Sequence, residues 1–281
     1  MKKYLNNLPE KFNTVISDFI TKLETNTEVQ WEQIKNVTRG NDLESTIGDL
    51  SIPVADIALI PIQLIPIGGN DQLSIGALLQ RDKPMIRIRY KAASEPANHL
   101  VRLEKDALIG CDSENVLHQL QDILPEFKYE MVSEEPGSKY DGVVLLDNEQ
   151  DNKIDLSAFD SYFDFNPREL IPPAGENVIA AVCLKSFSEI REILLDLNES
   201  RVSRASNIER RIQKKMAEHE IHSAHVYCEI DLQEYYHIYL SAFIPGSGYR
   251  KTRLSTSVST GADEDIVNQF FAEEKNLSES H

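Results

Sequence analysis

Twelve basic side chains fall in three short segments of this chain and are its most evident source of chemistry. Arg87, Arg89 and Lys91 alternate along one extended run, and Arg250, Lys251 and Arg253 follow a glycine-containing turn. Arg201, Arg204, Arg210, Arg211, Lys214 and Lys215 crowd the stretch 201–215, with only Glu209 against them. Guanidinium and ammonium groups aligned on one face are what neutralising phosphates requires. Were the three segments to converge, they would form a groove for nucleic acid or another polyanion. Taken singly, each is a solvated face or pairs with the protein's own acids. The 201–215 stretch holds no aromatic residue, which counts against a surface that stacks single-stranded bases.

A second constellation places Asp141 at the start of one apolar run, Lys185 at the end of another, and Glu189 on the helix expected next. Asp141 and Lys185 at strand ends resemble the PD-(D/E)xK nuclease pattern, in which one acid and a second acid-x-Lys strand hold a magnesium ion. The resemblance implies metal-dependent cleavage, with Asp141, Lys185 and Glu189 catalytic and Mg2+ as cofactor. Outside that alternative no cofactor is expected. The position two residues before the lysine, where the family has its second acid, is Cys183. A hard divalent ion strongly prefers a carboxylate there, so Glu189 would have to substitute from a shifted position.

His219, His222, His225 and Cys228 recur every three residues, and imidazole with thiolate suits zinc. Three-residue spacing keeps one face only on a helix. His225 and Cys228 fall in an expected strand, where an odd offset sends them to opposite faces. No metal site is therefore expected. Gly246-Ser247-Gly248 lacks the Lys-hydroxyl ending of a phosphate loop, and no G-x-S-x-G elbow or dinucleotide fingerprint is present. Arg253-Leu254-Ser255-Thr256-Ser257 is suggestive only as letters, with no nearby glutamate pair in strand context.

The field around these residues is segregated. The chain has a net charge of −17, yet eighteen acids face five bases between Glu104 and Glu176. Charge distribution bears on association rather than on fold. At 281 residues, with 41% apolar and 7% aromatic content, the chain can build a real core. Three widely spaced cysteines make no disulfide framework and suit a reducing cytosol. Met1-Lys2-Lys3 is followed by Asn6, Asn7 and Glu10, which interrupt any signal-peptide core. The longest apolar stretch, Ile57 to Ile67, is far below the ~20 residues a spanning helix needs, so no membrane contact is expected.

The elements that must carry these side chains can be read from periodicity. Asn7, Pro9 and Glu10 look like a helix start, and Phe12, Ile16, Phe19, Ile20 and Leu23 draw a helical stripe. A second helical piece is expected with Trp31 and Ile34 on one side. Pro61 and Pro66 argue for an edge strand or irregular run around Ile57 to Ile67. Met85 to Lys91 is the clearest strand, with His99 to Glu104 as its expected partner. Ser113 starts a short helix that Pro125 stops. Phe127 to Val132, Val143 to Leu146 and Val178 to Leu184 read as strands, and a loop falls at 134–138. Ser186 and Glu189 have capping-box spacing. A long basic helix, a hairpin near 224–230 and 235–244, and an acidic helix after Gly261 complete the chain. The reading is an α/β or α+β fold, a mixed sheet with flanking helices. The parts are 1–45 helical, 46–135 β-rich, 136–261 with the basic helix and hairpin, and 262–281 an acidic tail. In function it is a cytosolic, non-catalytic, self-associating binding protein whose basic face contacts nucleic acid or another acidic surface. The alternative is a metal-dependent nuclease, or a degenerate relative that binds DNA without cutting it.

Overall fold

The computed structural model describes residues 1–34, 42–52, 55–95, 98–132, 139–146, 156–244 and 246–278, with side chains described to residue 272. The loop expected at 134–138, Pro245 and residues 148–155 of the acidic tract lie outside the described residues. In chain order come β1 (Lys2–Asn6), α1 (Asn13–Thr27), β2 (Trp31–Ile34), α2 (Leu43–Ser51), β3 (Ile57–Pro61), β4 (Leu73–Leu78) and β5 (Ile86–Tyr90). Then follow β6 (Leu108–Cys111), α3 (Glu114–Ile123), β7 (Lys128–Met131), β8 (Gly142–Val144), β9 (Ser161–Phe165) and β10 (Ile179–Leu184). The last are α4 (Ser188–Asp196), α5 (Ser200–Glu218), β11 (His225–Ile230), β12 (Tyr236–Ile244), β13 (Gly248–Thr256) and α6 (Ala262–Ser278). The fold is mixed α/β, with mixed sheets flanked by helices and a long helix followed by a hairpin, as the sequence implies. Among the described residues no helix is long and apolar enough to cross a membrane.

The chain divides into two discontinuous units, residues 1–83 with 174–211 and residues 84–173 with 212–281. In the first unit the strand order is β2-β1-β3-β10-β4. There β1 runs parallel to β2 and β3, while β10 is antiparallel to both β3 and β4. In the second unit the order is β7-β6-β8-β5-β9, with β6 parallel to β7 and β8 and with β5 antiparallel to β8 and β9. The two sheets thus share one order and one pattern of directions. In each, the antiparallel strand is the first that the chain contributes on arriving from the other unit. The second unit also carries the antiparallel meander β11-β12-β13, on which α6 packs.

Burial follows from this layering, because a largely parallel sheet must be covered on both faces. One face of the first unit's sheet presents Leu59, Ala181 and Cys183 to Phe19, Leu23 and Leu194 of α1 and α4. The other presents Leu5, Ala58, Ala180 and Val182 to Leu50 of α2, with Val202 of α5 against the same cluster. In the second unit Val116 and Leu120 of α3 pack with Ile88, Tyr90 and Ile109. Gly76 in β4 permits a close approach: a Cβ there would lie 2.4 Å from Leu194 Cβ.

Several local expectations change. The chain begins with β1 rather than a helix, and Asn6, not Asn7, turns it by accepting from Leu8 N–H at 3.1 Å. Trp31 to Ile34 is a strand, drawn into extended form by its ladder with β1. β3 is an interior strand, tolerated because Pro61 is its last residue. His99 to Glu104 forms no strand; the partners of β5 are β8 and β9. α4 starts at Ser188, since a turn with Phe187 N–H donating to Leu184 O comes first, so the Ser186–Glu189 capping box does not form.

Candidate functional site

In the first unit, β1 leads through α1 to β2 on one side, and α2 then leads to β3 on the other. The clusters of α1 and α2 lie on opposite faces of the sheet. Strand order therefore reverses at β1 and β3, and in open α/β sheets ligands bind in the crevice outside the carboxyl ends at such a reversal. Three segments meet at that edge: residues 6–11 after β1, Gln63 after β3, and residues 174–177 ahead of the antiparallel β10. Lys11 Nζ donates to Asn177 Oδ1 at 3.3 Å. Gln63 Nε2 donates to Glu176 Oε2 at 3.1 Å and to Ala174 O at 3.4 Å. Asn6 is buried, Glu176 and Asn177 are half-buried, and Lys11 and Gln63 are exposed. Asn177 sits in the left-handed region, with φ 57°, a conformation asparagine tolerates better than most residues. The first turn of α1, at the same edge, contains no acidic residue. The edge offers primary amides, one ammonium and two carboxylates, Glu10 and Glu176.

A buried ion pair braces it. Arg81 Nη1 lies 2.6 Å from Glu209 Oε1, with the side chains 8% and 0% exposed. Arg81 Nε donates to Glu176 O at 2.9 Å, and Gly175 N–H donates to Glu209 Oε2 at 2.8 Å. Such charges are tolerated inside only when paired and hydrogen-bonded.

The residues singled out from sequence are distributed over both units. Arg87, Arg89 and Lys91 are on β5 in the second unit; Arg87 makes a two-point pair with Asp164 at 2.6 and 2.8 Å and stacks over Tyr162. Lys91 Nζ donates to Tyr140 O at 3.0 Å. Arg201, Arg204, Arg210 and Arg211 lie on the part of α5 in the first unit, and Lys214 and Lys215 on the part in the second. Arg210 donates to Ile65 O and Pro66 O, both at 2.8 Å, and burial lowers its pKa. Lys214 approaches Glu218 and Lys215 approaches Asp263, each at 3.9 Å. On β13, Arg250 is half-buried, Lys251 donates to Glu169 O, and Arg253 is exposed. Asp141 belongs to the second unit, where its Oδ2 accepts from Leu108 N–H at 2.9 Å. Lys185 and Glu189 are exposed in the first unit. Among the described residues, no group of three or more His, Cys, Asp or Glu is placed to hold a metal ion. His225 is buried and Cys228 lies on the opposite face of β11.

No family model and no curated protein matches the chain. Several solved structures align with about three quarters of the chain at low identity. One is the periplasmic VFT2 domain of Bordetella pertussis BvgS, at 16% identity and TM-score 0.32, covering 77% of this chain and 92% of that one. Another is a periplasmic TRAP solute-binding protein from Pseudomonas putida F1 with bound D-glucuronate, at 12% identity and TM-score 0.34, covering 78% and 83%. A third is a marine-metagenome TRAP solute-binding protein specific for aromatic acids, with 3-hydroxybenzoate, at 8% identity and TM-score 0.38, covering 76% and 78%.

The expectation of a cytosolic, self-associating protein that contacts nucleic acid, or of a nuclease, is corrected here. The similar structures are described as periplasmic or solute-binding proteins, two of them with small molecules bound. Several of the bases, Arg87, Lys91 and Arg210 among them, are held by the protein's own carboxylate and carbonyl groups. The cysteines decide no compartment either: Cys111, Cys183 and Cys228 are free and buried. At these TM-scores no ligand and no compartment carries over from those proteins to this chain.

Sequence reasoning missed Asn6, Lys11, Gln63, Arg81, Glu176, Asn177 and Glu209. They are scattered over some two hundred positions, and only the strand order brings them to one edge. One local signal existed: Asn6-Asn7 directly after an apolar pair, the point at which a short first strand ends.

Proposed function

We propose that the chain binds a small polar solute at the carboxyl edge of the first unit's sheet, where β1 and β3 end. The observation that carries this reading is the reversal of strand order between β1 and β3 with α1 and α2 on opposite faces. Asn6, Gln63 and Asn177 supply amide donors and acceptors, Lys11 supplies a positive charge, and Glu176 supplies an acceptor for a donor on the ligand. The α1 amino terminus adds a partial positive charge, with Glu10 in the 3-10 turn directly ahead of it. The combination fits a solute with a carboxylate or phosphate at one end and hydroxyl or amino groups beyond it. Arg81 and Glu209 hold residues 175 and 176 in place and do not themselves need to touch the ligand.

The test is a thermal-shift survey of small carboxylates, amino acids, sugar acids and sugar phosphates. A binder present at 100 times its Kd stabilises by about 2.7 kcal/mol. The shift should disappear in Lys11→Ala combined with Asn177→Ala. A shift that survives that double variant places the ligand elsewhere.

A further inference from the structure

The meander β11-β12-β13 aligns side chains across strands. Its register pairs Glu229 with His237 and His237 with Ser255, so all three share one face. The loop between β11 and β12 returns Asp231 to the same end. Its Oδ1 accepts from the N–H groups of Gln233 and Tyr235, both at 2.9 Å, which fixes the carboxylate and directs Oδ2 to His237 Nε2 at 3.0 Å. On the other side of the ring, Nδ1 lies 2.9 Å from Ser255 Oγ. Carboxylate, imidazole and hydroxyl thus form one hydrogen-bonded line. The tautomer that satisfies it has Nε2–H donating to Asp231 and Nδ1 accepting from the serine hydroxyl. Glu229 does not compete, being held by Arg168 at 2.6 Å.

The line is open to substrate: Ser255 is exposed, and His237 and Asp231 are 26% and 32% exposed. It is rimmed by apolar side chains. Leu232, Tyr235 and Val258 stand 84%, 46% and 57% exposed. All three leave the sheet at this end, because Tyr236 with Thr256 is the last pair between β12 and β13.

We propose that Asp231, His237 and Ser255 form an acyl-transfer site acting on esters with a short apolar acyl group. His237 Nδ1 takes the Ser255 hydroxyl proton as Oγ bonds to the ester carbonyl carbon, and Asp231 stabilises the imidazolium through Nε2–H. The tetrahedral adduct expels the alcohol oxygen, which takes the proton from Nδ1, leaving an acyl ester on Ser255. Water, deprotonated by the same nitrogen, then releases the carboxylic acid and restores the hydroxyl. Relative to the usual triad, the two ring nitrogens exchange roles. The site lies wholly in the second unit and does not depend on the solute-binding reading.

The experiment treats the full chain with a fluorophosphonate and with p-nitrophenyl butyrate. The expected result is an adduct on Ser255, located by peptide mass spectrometry and absent in Ser255→Ala. His237→Gln should slow labelling and turnover by about 100-fold or more, the usual range for a general base. Leu232→Ala should slow the butyrate ester more than the acetate. Absence of an adduct on Ser255 in the wild type overturns the proposal, as does labelling that a folded His237→Gln leaves unchanged. If His237→Gln unfolds, the wild-type adduct position decides alone.

Discussion

Arg81 and Glu209, 128 positions apart in sequence, meet at 2.6 Å inside the first unit and tie together three points of the backbone. Arg81 stands two residues before the chain first leaves that unit, Gly175 one residue after the first residue of its return, and Glu209 two residues before it leaves again. One buried pair therefore fixes the segments next to all three passages, and with them residues 174–177 of the proposed crevice.

Removing one partner strands a buried charge. Arg81→Met or Glu209→Gln alone should cost about 3–5 kcal/mol in chemical denaturation. The double variant should cost less than the two single losses added together, because neither charge is then left alone. Additive losses would mean that the pair is not coupled.

The basic stretch should divide by partner. Arg210→Ala removes two charge-assisted bonds to Ile65 O and Pro66 O and should cost about 1–3 kcal/mol. Lys214→Ala, on an exposed 3.9 Å approach to Glu218, should cost less than about 0.5 kcal/mol. Equal effects would contradict this division.

Legibility followed the range of the interaction. The alternation Ile86, Ile88, Tyr90 declared β5, and Ser113 with Pro125 bracketed α3, because caps and pleats are local physics. β1 and β2 escaped notice because each is short and becomes a strand only through parallel pairing with a partner distant in sequence. The shared order of the two main sheets was invisible for the same reason: the antiparallel β5 and β10 arrive from the opposite unit, so no sequence repeat marks them. The basic residues were plain in the sequence, but Asp164, Ile65 O and Pro66 O, which hold Arg87 and Arg210, were not. The proposed crevice was illegible because its members span Asn6 to Asn177 and its bracing pair adds Arg81 and Glu209.

Gly76 gives a packing test. A methyl group there meets Leu194 Cβ at 2.4 Å, so β4 and α4 must separate. Gly76→Ala should lower stability by about 1–3 kcal/mol, in the usual range for overpacking. An unchanged denaturation midpoint would contradict the close approach.

His225 sets a pH dependence. Burial lowers its pKa from 6.5 to about 4, and its Nδ1–H donates to Ile171 O at 2.9 Å. The unfolded chain takes up a proton below pH 6.5 and the native chain only near pH 4, so stability falls as pH drops through that window and levels off below it. The loss attributable to this group is about 3 kcal/mol. His225→Asn, followed by urea unfolding at pH 7 and pH 4.5, should show a smaller drop than the wild type. An identical drop would show that His225 takes up its proton in the folded protein as readily as in the unfolded chain.

The most direct measurement for solute binding is a backbone amide NMR titration of the full chain with the strongest hit from the thermal-shift survey. Binding at the carboxyl edge of the first unit's sheet should move the amides of residues 6–11, 62–64 and 174–177, and Lys11→Ala should weaken the titration at least tenfold. Perturbations confined to other segments, or an affinity unchanged in Lys11→Ala, would contradict the account.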